Sequence, residues 1–190
     1  METPAAARPV RRVPGRRVSV GMAATVAVAV VSALLLWPGS SSGTPSPVRS
    51  ALAFRLDDVR PSSGSAVLGA RPGQPVVLNF FAAWCDPCHA ELPLLAALQQ
   101  RMGKRLQVLG VDVQDNRGLA TQLLTDAKAT FPAGYDPGRD VSGAWGVDGL
   151  PVTVFIAPDG TVIDYHRGQL RAGDLDRRVK TLLAHSGGSA

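Results

Sequence analysis

VVLNFFAAWCDPCHAELP, residues 76–93, decides how this chain folds. Its first six residues, Val76 to Phe81, are almost continuously apolar, which suits a strand covered on both faces. From His89 to Met102 the apolar residues Leu94, Leu95, Leu98 and Met102 recur at helical spacing, so a helix follows. Leu106 to Val111 reads as a second buried strand. Strand, helix and strand of this length make a right-handed crossover with the two strands parallel. Trp84-Cys85-Asp86-Pro87-Cys88 falls where the first strand hands over to the helix.

That position has chemical consequences. A helix N-terminus carries unpaired N–H groups and about half a positive charge, and both favour a thiolate over a thiol. Cys85 is expected to be exposed there and to act as the nucleophile, with Cys88 one turn further in and better covered. Cys85 then attacks a substrate disulfide and Cys88 resolves the mixed disulfide. Pro87 fits the first helical turn, where a missing N–H costs nothing. Trp84 is expected to pack beside the thiols and shape a docking surface. The charge of Asp86, between the cysteines, opposes thiolate formation at Cys85. His89 reads as an exposed side chain, Pro93 as a kink in the helix, and His166 as a structural residue.

Working outward, Gly118 to Ala129 reads as a helix with Leu119, Leu123 and Leu124 as its apolar stripe. Val152 to Ala157 and Thr161 to Arg167 are β-rich runs separated by Pro158-Asp159-Gly160, the signature of an antiparallel hairpin. Leu175, Val179, Leu182 and Leu183 mark a closing amphipathic helix, and Phe54 to Val59 is expected to add an edge strand. The sum is an α/β domain with a mixed sheet of four or five strands and helices on both faces.

The formal charge of +5 over 190 residues suggests a nucleic-acid binder until it is located. Arg8, Arg11, Arg12, Arg16 and Arg17 against Glu2 give the first 20 residues +4, and the other 170 carry 15 basic and 14 acidic groups, a net of +1. The domain therefore has no field to steer a polyanion. With two cysteines and three histidines, a four-ligand structural zinc site is disfavoured, and so is a disulfide-stapled scaffold.

Val18 to Trp37 is a run of 20 uncharged residues, about 30 Å long as a helix and so long enough to span a bilayer. Arginines precede it, so residues 1–17 are expected in the cytoplasm and everything after residue 37 outside. A cleaved signal peptide is the alternative. The length of the run and the lack of a nearby small-x-small site favour an uncleaved anchor. Residues 38–50, PGSSSGTPSPVRS, read as a flexible tether, and residues 51–190 as the exported domain.

NFFAAWCDPCHAELP, residues 79–93, resembles the active-site segment of thioredoxin-like proteins, specifically the membrane-anchored ResA/TlpA group of thiol–disulfide oxidoreductases. GVDGLPVTVFIAPDGTVIDYHRG, residues 146–168, is similar to that group's second signature. The resemblance runs from about Phe54 to Leu183 and implies a thioredoxin fold. It makes Cys85 the nucleophile, Cys88 the resolving thiol, and Leu150-Pro151 a cis-proline bond facing the disulfide. A cis bond there exposes the backbone of Leu150 for pairing with an extended substrate. Cytoplasmic thioredoxins carry a buried aspartate six residues before the first cysteine. Here Asn79 occupies that position and cannot titrate. Glu91, one turn beyond Cys88, faces the same side. The resemblance makes it the acid/base partner of the dithiol.

The function expected is reduction of disulfides in exported proteins, with electrons from a membrane thiol carrier, no cofactor, and the chain acting as a monomer. In the resembling group the substrates include the Cys-x-x-Cys-His motif of apocytochrome c. One cytochrome-specific branch carries an acid after the cis-proline, where this chain has Val152. The alternatives are oxidation by the same fold, a thioredoxin-fold copper chaperone using a distant histidine, and a purely adhesive module, which has no need of paired cysteines.

Overall fold

The computed structural model describes residues 54–60 and 73–186. The expected basic tail, membrane anchor and tether lie outside them. No helix among the described residues is long and apolar enough to cross a membrane.

Strand β1 (Val76–Phe81) is buried at every position, as its nearly continuous apolar run suggests, with Asn79 the one polar residue in it. Helix α1 (Asp86–Met102) follows, and a short 3₁₀ turn leads to β2 (Gln107–Val113), parallel to β1. Pro93 lies inside α1, which continues through it. Helix α2 (Arg117–Asp126) is capped by the Asn116 side chain, which accepts from the Gly118 and Leu119 N–H groups. Then come β3 (Ala133–Asp136), the short α3 (Asp140–Ala144), β4 (Val152–Ile156), β5 (Val162–Arg167) and α4 (Ala172–Ser186).

The sheet order is β3-β2-β1-β4-β5, with β3 parallel to β2, β4 antiparallel to β1 and β5 antiparallel to β4. This is the mixed five-stranded sheet of an α/β thioredoxin-like fold. The β4–β5 hairpin closes through Gly160, whose φ of +91° suits a residue without Cβ.

Alternation along β1 divides the core. Val77 and Phe81 face a cluster completed by Leu92 and Leu95 of α1, Leu124 of α2 and Leu182 of α4. Val76, Leu78 and Phe80 face the other side, covered by Val141 of α3, Val147 and the partly buried Phe54, Leu56 and Trp145.

Two expectations change. Phe54 to Val59 is not a strand. Only Asp58 bridges, antiparallel to Gly134, with Val59 N–H donating to Ala133 C=O at 2.8 Å and Tyr135 N–H to Asp57 C=O at 2.9 Å. The fifth strand is instead β3, whose Ala-Gly-Tyr-Asp is too short to show periodicity. Leu119 is 56% exposed, and Ala120 takes its place on the inner face of α2 with Leu123 and Leu124. Leu119 and Ala120 differ by one position, or about 100° around the helix, so the smaller residue faces the close approach of the sheet.

Candidate active site

Cys85 is the N-cap of α1 and Pro87 stands in its first turn. The β1 strand ends at Phe81, and the turn 82–84 swings the chain into the helix, with Cys85 N–H donating to Ala82 C=O at 3.2 Å. Cys85 and Cys88 form a disulfide with an S–S distance of 2.02 Å. The exposed nucleophile expected from the sequence is corrected here: Cys85 is only 4% exposed and Cys88 1%. Both cysteines belong to the buried cluster that includes Phe81, Ala82 and Leu92. The expected order survives, with Cys85 the less covered.

Around the pair the environments differ sharply. Trp84 is 60% exposed, and its indole N–H donates to Gln114 C=O at 3.1 Å. Asp86 and Pro87 are exposed, as is His89, whose ring Nε2 lies 2.8 Å from Ala83 C=O. The Leu150-Pro151 peptide is cis, Pro151 is buried, and Leu150 packs against both core clusters, including the one that holds the cysteines.

Glu91 is wholly buried, and not the solvated first-turn glutamate that its position on α1 also allowed. Its Oε1 accepts from the Thr153 hydroxyl at 2.5 Å and from Asn79 Nδ2 at 3.2 Å, and its Oε2 from Leu170 N–H at 3.3 Å. Burial pushes its carboxyl pKa up, opposed by the bonds from Thr153 and Leu170 and by the charge of His166. The result is a carboxyl group poised to hold a proton inside the core.

Asn79, Thr153 and His166 form one cross-strand row, since Asn79 pairs with Thr153 and Thr153 with His166. The sequence reading singled out Glu91 and Asn79 separately, and it missed both their hydrogen bond and Thr153. The available signal was a hydroxyl inside an apolar strand run, VTVFI. His166, read as structural, is half-buried with an unpartnered Nε2. It stands beside Thr153 and acts on Glu91, so the row serves the carboxylate. Among the described residues, no three His, Cys, Asp or Glu side chains gather as metal ligands.

The chain is similar to several known proteins. Residues 49–165 match the AhpC/TSA family model. The DsbE homolog of Paracoccus denitrificans, a thiol:disulfide interchange protein, is 36% identical over 129 residues, which cover 62% of this chain and 69% of that one. The thiol-disulfide oxidoreductase ResA of Oceanobacillus iheyensis is 30% identical over 105 residues, and the match spans just over half, 55%, of each chain. A solved structure of DsbF from MTB, in mixed oxidised and reduced forms, superposes with a TM-score of 0.63 at 27% identity, covering 70% of this chain and 97% of that one. The chain belongs to the AhpC/TSA family, alongside its thioredoxin-like thiol–disulfide oxidoreductases.

Proposed function

We propose that this chain is an extracytoplasmic thiol–disulfide oxidoreductase that reduces disulfides of exported proteins through Cys85 and Cys88. The observation that carries the reading is a disulfide at the N-terminus of α1 with a buried, hydrogen-bonded carboxyl group one turn behind it.

In the reduced enzyme the Cys85 thiolate attacks one sulfur of the substrate disulfide. A mixed disulfide forms, and the first substrate sulfur leaves as a thiolate that takes up a proton. Cys88 gives up its proton, with Glu91 as acceptor, and attacks the Cys85 sulfur. The Cys85–Cys88 bond forms and the second substrate thiol is released. The substrate gains two electrons and two protons, and the enzyme ends in the oxidised form. A membrane thiol carrier restores the dithiol by the same exchange. Trp84, Pro87 and Leu150 form the surface on which the substrate segment lies, with the buried Pro151 holding the backbone of Leu150 in place. The uncharged run from Val18 to Trp37 supports a single-pass anchor with the catalytic domain outside the membrane. Apocytochrome c is one substrate whose paired cysteines fit this chemistry.

The direction of exchange is read from the reduction potential. A value well below about −200 mV supports the reductase, and one above about −150 mV overturns it in favour of an oxidase.

A further inference from the structure

One buried carboxyl group takes no part in the exchange just described. Asp112 lies near the end of β2, wholly buried, on the same face as Val108 and in register with Phe81. Neither of its oxygens has a donor directed at it. What it meets is an acceptor, the Asp115 carboxylate, with Asp136 of β3 adding negative charge and Arg117 of α2 opposing it. An ionised carboxylate in such a place is strongly disfavoured. Burial first, then the charge and hydrogen bond of Asp115, push the Asp112 carboxyl up to about 9. Protonated, Asp112 becomes a donor and the pair is complete.

Asp115 is also attached to the redox turn. Its Oδ2 accepts from Ala83 N–H, and its Oδ1 from Asn116 N–H at 2.6 Å. Its own C=O accepts from the Tyr135 hydroxyl at 2.9 Å. The neighbouring Gln114, at a left-handed φ of +49°, takes the Trp84 indole N–H. The Ala83 bond therefore fastens the turn before Cys85 to the loop that holds Asp115, and the exposed Trp84 indole rests on the same loop.

We propose that Asp112 carries a proton and acts with Asp115 as a positioning pair, Asp112 donating to and seating the Asp115 carboxylate and Asp115 fixing Ala83 in the turn that presents Cys85. Loss of that proton sets two negative charges side by side and drives Asp115 away from the Ala83 amide. The inference rests on the reading of Cys85 as the attacking thiol only for what the turn is for.

The test uses the full-length chain in its oxidised form, where the cysteines do not titrate. Carbon-detected NMR should show the Asp112 carboxyl carbon titrating near pH 9, with the Ala83 backbone nitrogen moving at the same midpoint. In Asp112→Asn the Ala83 signal should stay flat over that range. In Asp115→Asn the Asp112 midpoint should fall, because the neighbouring charge is gone. An Asp112 carboxyl titrating below pH 5, or an Ala83 midpoint unchanged in Asp112→Asn, overturns the proposal. No turnover is measured, so its failure leaves the dithiol reading standing. Failure of mixed-disulfide trapping would leave the positioning pair standing.

Discussion

The Thr153 hydroxyl donates to Glu91 Oε1 at 2.5 Å between β4 and α1, and neither residue meets solvent. Burial raises the pKa of a carboxyl group in that position, and its donors oppose the rise. Both are needed if it is to take a proton and return it.

Glu91→Gln keeps the shape and removes the exchangeable proton. Turnover is expected to fall by about 10²-fold, the lower end for a lost general acid–base group, with the fold intact. An unchanged pH–rate profile rejects Glu91 as the proton partner. Thr153→Val removes a bond that lowers the Glu91 pKa, so the corresponding limb of the profile should move to higher pH. Because a buried acceptor loses its donor, that variant should also cost about 1–3 kcal/mol in denaturant unfolding.

Cys85→Ser should abolish reduction of insulin disulfides. Cys88→Ser should instead accumulate mixed disulfides, since the attacking sulfur remains and the resolving one is gone. Non-reducing electrophoresis and mass spectrometry of the trapped species identify the partners. Full activity with nothing captured in Cys88→Ser shows the resolving role to be wrong.

Trp84 spends little of its surface on the core, being 60% exposed. Trp84→Ala should therefore shift stability by no more than about 0.5 kcal/mol, like other surface changes. Its effect should fall on KM for a protein disulfide, raised several-fold, while reduction of a small aromatic disulfide stays the same. Equal losses on both substrates count against a docking role.

Asp112→Asn separates charge from shape. The folded pKa, about 9, lies above the ordinary 3.8, so the folded chain keeps a proton that the unfolded chain sheds. That contribution is fully present below about pH 3.8 and is lost as pH rises towards 9. The variant, which does not titrate, should gain on the wild type across this window, by at most about 1.4 kcal/mol per pH unit. Denaturant unfolding at pH 4 and pH 8 measures it. A constant difference between the two pH values contradicts a protonated Asp112.

Gly110 lies in β2 where an added Cβ would stand 2.9 Å from the Phe81 ring and 3.2 Å from Ala133 Cβ. Gly110→Ala should cost about 1–3 kcal/mol by overpacking, read as a lower denaturation midpoint. An unchanged midpoint means the Phe81 ring moves aside freely.

Much of the architecture is legible in the linear chain because it is written in local patterns. Val76 to Phe81 is apolar but for Asn79 and became the central strand with those bounds. Pro158-Asp159-Gly160 announced a hairpin, and the hairpin is there. The Cys-x-x-Cys spacing at a strand-to-helix junction placed the redox pair at the N-cap of α1. These signals depend on neighbours within one turn or one strand, so they survive reading without coordinates.

What the tertiary structure alone decided are the meetings of residues distant in sequence. Thr153 reaches Glu91 across 62 positions, and Asp115 reaches Ala83 across 32. Cys85 is buried in a cluster whose members run from Val59 to Leu182, which no periodicity records. The assignment of the sheet's edge to Ala133–Asp136 instead of Phe54–Val59 was settled by which segment could complete a ladder beside β2. A local pattern states what a segment can become, whereas charge, solvation and pairing partners depend on what the folded chain brings within a few ångströms.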